Sequence, residues 1–137
     1  MTKQEIFDTL KPLIVSVLGV PPERVRLESV LVTDLGAESI DLLDLSFLIE
    51  ETFHVHIEAN EIEREAQRRL PDGAYEKDGY LTGAALDEIR KAMPELDASK
   101  LVPGLRKADL PALLPVSFFV NLIARKLAAP PDGAPHA

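Results

Sequence analysis

The chain is predicted to fold as a small all-α protein, and three features of its 137 residues point to that class. Apolar residues recur every three or four positions in several separate stretches, as they do along the buried face of a helix. These stretches are bounded by capping residues, glycine or proline. No pair of strand patterns joined by a hairpin signal is recognised. A chain of this length is expected to form one domain, or one domain with an extension.

The first helix is predicted to begin after Thr2, which is spaced to form a capping box with Glu5. Pro12 is expected to kink or restart this helix, and Gly19 is expected to end it. Its apolar residues recur at helical spacing: Ile6, Leu10, Leu13, Ile14, Val17 and Leu18. Residues 21–36 then form a loop. Its apolar side chains are expected to hold that loop on the core: Val25, Leu27, Val30, Leu31 and Leu35.

A second helix is predicted from Ser39 to Phe53, and it is apolar on two sides. One stripe is the expected core face: Leu42, Leu45, Ile49 and Phe53. A second stripe, flanked by carboxylates, lies on a different side: Ile40, Leu43 and Phe47. A helix that is apolar on two sides is either buried twice or meets a partner surface.

The segment that follows the second helix is predicted to be mixed. Residues 55–57 suggest a short extended link, and residues 58–70 suggest a third helix rich in charge. The Pro-Asp-Gly sequence at 71–73 predicts a turn. Residues 72–81 are expected to form a loop.

Two more helices are predicted towards the C-terminal end. Thr82 is expected to cap a helix over residues 83–93. The proline-punctuated residues 110–115 are expected to pack irregularly, and the last helix is predicted over residues 116–128. That helix is apolar enough to be a core helix and lacks the broad basic face of a membrane-surface helix. Residues 130–137 are expected to form a disordered tail.

Charge is spread unevenly along the chain. Residues 1–63 hold 4 basic and 13 acidic side chains, whereas residues 64–137 hold 11 and 10. The whole excess of the net charge of −8 therefore lies in the first half. An acidic surface repels nucleic acid and anionic membranes and attracts basic patches on proteins. Proteins, and not nucleic acids, are the expected partners.

Several other classes of protein are disfavoured. The absence of cysteine excludes a disulfide framework and a thiol nucleophile. The first residues lack the layout of a signal peptide, and no apolar stretch is long enough to span a bilayer. We expect a cytoplasmic protein without stable membrane insertion.

The residues do not predict an enzyme or a metal site. The segment around Ser39 lacks the second glycine of a hydrolase nucleophile elbow. His54 and His56 alternate across an extended link, and nothing nearby completes a set of metal ligands. A serine at a helix start either caps the helix or carries a phosphoester, because the helix N-terminus stabilises negative charge.

Residues 34–53, which read Asp-Leu-Gly-Ala-Glu-Ser-Ile-Asp-Leu-Leu-Asp-Leu-Ser-Phe-Leu-Ile-Glu-Glu-Thr-Phe, resemble the modification motif and second helix of acyl carrier proteins. The similarity extends back through the first helix and forward to about Ile62. It implies a four-helix bundle in which Ser39 receives 4′-phosphopantetheine from coenzyme A. A phosphopantetheinyl transferase would use magnesium for this step. The terminal thiol would hold an acyl chain as a thioester, folded back between the second and third helices when small enough.

The resemblance also implies a set of residues for partner recognition. In this family, the matching positions meet basic patches on the transferase and on acyl-loading, elongating or acyltransferase enzymes of fatty acid or lipid biosynthesis. These positions here are Glu38, Ile40, Asp41, Leu43, Asp44, Phe47, Glu50 and Glu51. A monomer is expected.

The chain departs from the family pattern mainly in length. Glu38 and Ile40 replace the usual Asp and Leu beside the serine. A carrier domain over residues 1–129 is expected, with its core in residues 1–62 and 116–128. A helical insertion of about residues 63–115 would precede the last helix. Longer carriers of this kind resemble specialised ones that handle unusual or very long acyl chains.

The sequence leaves alternatives open for the extension and for the function. The extension could shelter a long or modified acyl chain, dock one dedicated partner, or cover the second stripe of the second helix. The protein could instead be an aminoacyl or polyketide carrier. It could also be an unmodified acidic helical domain that only binds partners.

Overall fold

The computed structural model describes residues 1–57, 70–71 and 73–128. Its α-helices there are α1 (Lys3–Leu18), α2 (Ser39–Phe53), α3 (Gly83–Ala92) and α4 (Val116–Ala128). The predicted all-α class is confirmed, since the described chain is mostly helical. Helix α1 packs against both α2 and α4. The predicted third helix over 58–70, apart from its last residue, and the predicted tail lie outside the described residues.

Helix α1 begins as predicted. The Thr2 N–H donates to Glu5 Oε1 at 2.7 Å, and the Glu5 N–H donates to Thr2 Oγ1 at 3.1 Å. The hydrogen bond from the Thr2 backbone N–H, and secondarily one from the Thr2 hydroxyl, lowers the pKa of the Glu5 carboxyl. Pro12 was expected to kink or restart the helix; it does not restart it, because the helix continues as one element through the proline. Leu10 and Ile14 on either side of the exposed proline are fully buried, so both halves are held against the same core.

The loop between α1 and α2 begins at Gly19, which has a left-handed φ of 69° and donates its N–H to Val15 O. Three of its apolar side chains are buried as predicted: Val25, Leu31 and Leu35. Leu27 was expected on the core, but its side chain is 44% exposed. Its carbonyl accepts a hydrogen bond from Ser117, which holds the backbone in place while the side chain lines an open groove.

Helix α2 has the predicted bounds and the predicted core face. Leu45, Ile49 and Phe53 are buried, and Leu42 is half-buried against the same core. The helix ends at His54, which adopts the left-handed conformation with φ of 57°.

The expectation that the protein has no hairpin is wrong. Strands β1 (Glu76–Lys77) and β2 (Tyr80–Leu81) pair antiparallel, where a loop was predicted. Asp78 and Gly79 both have positive φ, as the two central residues of a type I′ turn must. Asp-Gly is the typical sequence of such turns, but two-residue strands are too short to show an alternating pattern. The preceding turn is confirmed by the hydrogen bond from Ala74 N–H to Pro71 O.

Helix α3 is capped as predicted, since the Ala85 N–H donates to Thr82 Oγ1 at 3.1 Å. It buries the expected face: Leu86, Ile89 and Met93. The segment expected to be irregular instead contains a 3₁₀-helix over Lys107–Leu113, with Leu110 buried. Its start is held by the Arg106 N–H bonding Asp109 Oδ2 at 3.1 Å. Other 3₁₀ turns cover Pro22–Arg24 and Ala98–Lys100.

The start of α4 is joined to the loop that precedes α2. The Val116 N–H donates to Ser29 O at 2.8 Å, and the Leu31 N–H donates to Leu114 O at 3.3 Å. The Phe118 and Phe119 rings meet edge to face with centroids 5.4 Å apart. Buried residues from α1, α2, α3 and α4 belong to one hydrophobic cluster. The loop that leads to Ser39 therefore rests on the C-terminal part of the chain.

Candidate functional site

The loop before Ser39 is closed by Asp34. Its carboxylate accepts the Val30 N–H at 2.8 Å, and its own N–H donates to Val30 O at 2.8 Å. The Asp34 carbonyl also accepts a hydrogen bond from Arg24 Nη2. These bonds satisfy backbone groups that a loop would otherwise leave unpaired, and they hold the entry to α2 in one conformation.

The next three residues, 35–37, determine how the chain enters α2. Leu35 and Ala37 are buried, whereas Gly36 between them is exposed and has φ of 75°. The Ala37 N–H donates to Leu31 O at 2.9 Å. Because two residues in this short run are anchored inward, the residues that immediately follow are presented outward at the start of α2.

Replacing Gly36 with alanine is expected to destabilise the protein by about 1–2 kcal/mol, the cost of a left-handed conformation for a residue with a Cβ. A Cβ at Gly36 would meet no atom within 4 Å, so backbone strain and not a clash is responsible. Chemical denaturation would measure the change. Gly83→Ala is the control, since Gly83 also has open space and lies in α3 without a positive φ. Equal stabilities for the two variants would contradict this account of Gly36.

Ser39 occupies the first turn of α2 and not its N-cap. The N-cap residue is Glu38, whose N–H donates to Asp41 Oδ2 at 2.9 Å and whose carbonyl accepts from Leu42 N–H at 3.1 Å. Ser39 is exposed, and its hydroxyl makes no hydrogen bond to another described residue. The alternative in which this hydroxyl only caps the helix is therefore wrong, because Glu38 holds that position.

The position of Ser39 suits a covalent phosphoester. An exposed hydroxyl can be reached by a transferase without unfolding the helix. The free backbone N–H groups of the first turn and the helix dipole favour a negative group there, by about 0.3–1 kcal/mol at an exposed site. The residues present therefore fit a phosphopantetheine arm that leaves the protein surface at the start of α2.

The second apolar stripe of α2 is open to solvent. Ile40 is 62% exposed, Leu43 is 54% exposed and Phe47 is 58% exposed. The interpretation in which the extension covers this stripe is wrong for the part of the extension that the structure describes. Adjacent apolar side chains with such exposure are typical of an interaction surface.

The carboxylates around this stripe differ in their exposure and in their hydrogen bonds. Glu38, Asp44 and Glu51 are exposed, whereas Asp41 is half-buried. Glu50 is also half-buried. Its Oε2 accepts the Ile57 N–H at 2.7 Å and lies 3.0 Å from His56 Nδ1.

The role of Glu50 inside the molecule was missed by sequence reasoning. Nothing in the local pattern indicates it, because the reversal at His54 brings residues seven apart together. Glu50 therefore ties the end of α2 to the link that follows. The predicted recognition set lies along α2 and its N-cap residue Glu38, but its members differ in how exposed their side chains are.

Two further observations concern the described ranges. None of their helices has both the length and the apolar content needed to cross a membrane. Within residues 1–57, 70–71 and 73–128, no three His, Asp or Glu side chains are grouped so that they could hold a metal ion.

Comparison with known proteins gives consistent matches. Residues 8–66 match the family described as the phosphopantetheine attachment site. The acyl carrier protein of Campylobacter fetus subsp. fetus is 41% identical over 59 residues, which are 43% of this chain and 77% of that protein. That of Wolinella succinogenes is 44% identical over 59 residues, 43% of this chain and 78% of its own. That of Petrotoga mobilis is 41% identical over 64 residues, 47% of this chain and 75% of its own.

These matches confirm the resemblance noted in the sequence. The region that matches the family model, residues 8–66, contains the Asp34–Ala37 loop, Ser39 and all of α2. It ends before the hairpin and α3. The chain belongs to the acyl carrier protein family, whose members are not enzymes but carry acyl chains on covalently attached 4′-phosphopantetheine.

Proposed function

We propose that Ser39 is the residue that bears 4′-phosphopantetheine and that the loaded chain is presented to enzymes of fatty acid or lipid biosynthesis. The observation that carries this proposal is the exposed Ser39 hydroxyl at the start of α2, inside the matched region, which makes no hydrogen bond to a described residue. Its oxygen would bond to the phosphorus of coenzyme A that bears the pantetheine. The pyrophosphate bond would break, adenosine bisphosphate would leave, and the serine proton would pass to solvent or to a transferase base.

Incubation with coenzyme A, magnesium and a broad-specificity phosphopantetheinyl transferase is expected to add one phosphopantetheine group. Intact mass spectrometry measures the number of groups, and peptide mapping locates them. We expect one adduct, on the peptide that contains Ser39. An adduct on another serine would contradict the assignment. No adduct on a protein shown to be folded would also count against it, unless a dedicated transferase then modified Ser39.

The exposed stripe of α2 is the proposed docking surface for partner enzymes. It places an apolar centre (Ile40, Leu43 and Phe47) among acidic side chains: Glu38, Asp41, Asp44, Glu50 and Glu51. Between residues 27 and 57 there is no lysine or arginine to neutralise them. A basic patch on a partner would therefore be attracted over a distance, and the apolar centre would add short-range contact.

Phe47→Ala is expected to weaken binding to the transferase by about 5- to 30-fold, because exposed aromatic residues at the centre of an interface contribute about 1–2 kcal/mol. Calorimetry or the transferase KM would measure the change. The fold is expected to be unaffected, since Phe47 lies outside the core.

Tyr80→Ala is the matched control for this test, because Tyr80 is an aromatic residue 49% exposed on the hairpin. Equal affinities of Phe47→Ala and Tyr80→Ala for the transferase would place the docking surface elsewhere.

Binding of the wild-type protein to the transferase is expected to weaken as salt rises, because the carboxylates around Phe47 are screened.

The proposed cargo is a long or unusual acyl chain. The length of the chain beyond the matched region supports this, together with the apolar residues of that part. The proposed carrier core comprises residues 1–62 and 116–128, and the proposed insertion comprises about residues 63–115, within a domain over 1–129. The packing of α4 against α1 supports assigning α4 to the core.

A further inference from the structure

A groove of about 400 Å³ lies where the loop before α2, the turn after α3 and the segment that leads into α4 meet. We propose that this groove binds a primary ammonium group on a short hydrocarbon stem, and that Glu95 is the carboxylate that receives the ammonium. The inference goes beyond the proposed carrier function and does not depend on the attachment at Ser39.

The two carboxylate oxygens of Glu95, which lines the groove, have different surroundings. Asn121 Nδ2 on α4 donates to Glu95 Oε2 at 2.5 Å, which holds the carboxylate against that helix. Glu95 Oε1 is buried, yet no described residue donates a hydrogen bond to it. Burying a carboxylate oxygen without a donor is costly, and nearly all such atoms have a partner. A hydrogen-bond donor from outside the chain is therefore expected at this oxygen.

The charge of the groove favours a cationic donor. Glu28 and Asp97 add two exposed carboxylates to the lining, against the ammonium of Lys100. Asp97 is ionised at neutral pH, because hydrogen bonds from the Ser99 hydroxyl and the Ser99 N–H lower the pKa of its carboxyl. The excess of carboxylates would attract a positive charge into the groove.

An organic cation suits these carboxylates better than a metal ion does. In the part of the chain that the structure describes, no three His, Asp or Glu side chains are grouped so that they could hold a metal ion. A metal ion needs several ligand oxygens at about 2–2.6 Å at the same time. An ammonium needs only one close acceptor, such as Glu95 Oε1, and is attracted by Glu28 and Asp97 from farther away.

The apolar part of the lining suits a short hydrocarbon stem. Leu27 is 44% exposed, and Val30 and Leu113 are half-buried, so apolar surface remains for a ligand to cover. A stem of about four carbons can lie on such a surface while its charged end stays among polar groups, as lysine side chains do. Small-molecule sites enclose about 300–1,000 Å³, and this groove falls in that range.

The walls of the groove are fixed by backbone hydrogen bonds. The Ser117 N–H donates to Leu27 O at 2.9 Å, and the Val116 N–H donates to Ser29 O at 2.8 Å. Val30 and Pro115 form an isolated antiparallel bridge between the loop and the segment before α4. A groove held in this way exists before a ligand arrives, so little ordering is needed on binding.

The test is an NMR titration of the full ¹⁵N-labelled chain with butylammonium at constant ionic strength. We expect a dissociation constant of about 1–10 mM, as for a ligand with so few atoms. The amide shifts that change are expected in residues 27–33, 95–100 and 112–117. Butanol has nearly the same stem without the charge, and we expect it to bind at least about tenfold more weakly.

Two sources could supply this chemistry: a free amine, or the lysine side chain of another protein. Nα-acetyl-lysine methylamide carries the same butylammonium group on a peptide backbone. Tighter binding of this compound than of butylammonium would identify a lysine side chain as the ligand. Equal or weaker binding would identify a free amine.

Glu95→Gln is the test variant and Glu23→Gln is its control, since Glu23 is exposed and does not line the groove. In Glu95→Gln, the amide oxygen can still accept from Asn121, which leaves an NH₂ group where the unpartnered oxygen was. An ammonium cannot donate to that group. Binding of butylammonium is therefore expected to weaken by at least about tenfold in Glu95→Gln and to be unchanged in Glu23→Gln.

Lys100→Met gives a second test that does not require Glu95 to be changed. Lys100 is exposed and lines the groove, so the substitution removes a like charge and keeps an apolar stem. Butylammonium is expected to bind about 2- to 5-fold more tightly, the usual size of an exposed charge interaction. This gain cannot arise from loss of folding.

Three results would overturn the inference. The first is the absence of shift changes in the groove of the wild-type protein at about 50 mM butylammonium, well above the expected dissociation constant. The second is equal binding of butylammonium and butanol. The third is equal binding of butylammonium by folded Glu95→Gln and Glu23→Gln. If Glu95→Gln does not fold, the lack of any gain in Lys100→Met takes the place of the third. None of these results bears on the attachment of phosphopantetheine to Ser39.

Discussion

Ser39→Ala is expected to abolish phosphopantetheine addition completely while the protein stays folded. The substitution removes the only oxygen that could form the phosphoester at this position. It deletes no hydrogen bond to a described residue and no buried atom. Its effect on the free energy of unfolding is therefore expected to stay within about 0.5 kcal/mol, as for other exposed positions. Intact mass and chemical denaturation measure the two quantities.

Ser46→Ala is the matched control, because Ser46 lies on the same helix and its hydroxyl donates to Leu42 O at 2.9 Å. This variant should accept the group at the wild-type rate. Full cellular function of the Ser39→Ala protein would contradict the carrier proposal. That result would favour an unmodified domain that binds partners through α2.

Ile89→Ala is expected to lower the free energy of unfolding of the whole chain by about 2–5 kcal/mol. Ile89 lies in α3, within the proposed insertion, and is fully buried. It belongs to the same hydrophobic cluster as Ile14 of α1. Small domains have only about 5–15 kcal/mol of stability, so either Ile89→Ala or Ile14→Ala would shift the melting temperature markedly.

The shape of the transition distinguishes a shared core from an accessory insertion. In a shared core, Ile89→Ala and Ile14→Ala both shift one cooperative transition, followed by circular dichroism and calorimetry. Val102→Ala, at a position 46% exposed in the same part of the chain, should leave that transition unchanged. Two separate transitions, with only one moved by Ile89→Ala, would show that the insertion unfolds independently of the carrier core.

Local signals predicted most of the helices. Thr2, Gly19 and Thr82 are capping residues whose effects reach only one turn, so α1 and the start of α3 were placed correctly. The apolar spacing in α2 and α4 gave their bounds for the same reason. The errors arose where distant packing decides. Helix α1 continues through Pro12 because both sides of the proline are buried.

The candidate site was predicted in part. Ser39, with the Asp-Leu-Gly run before it, was recognisable because turn and cap chemistry involve neighbouring residues. The bond between Glu50 and the Ile57 N–H was not, because it depends on the reversal at His54. The groove at Leu27 was not predicted either, since it needs two segments more than eighty residues apart in the chain.

By itself, the amino-acid sequence determined the helical class, the acidic first half and an exposed serine at a helix start. These follow from periodicity, composition and short-range hydrogen bonding. Only the tertiary structure decided that the stripe of Ile40, Leu43 and Phe47 is open to solvent. Periodicity shows that such a face exists but not whether another segment covers it. That depends on how the loop before α2 pairs with the start of α4, which brings together groups from distant parts of the chain.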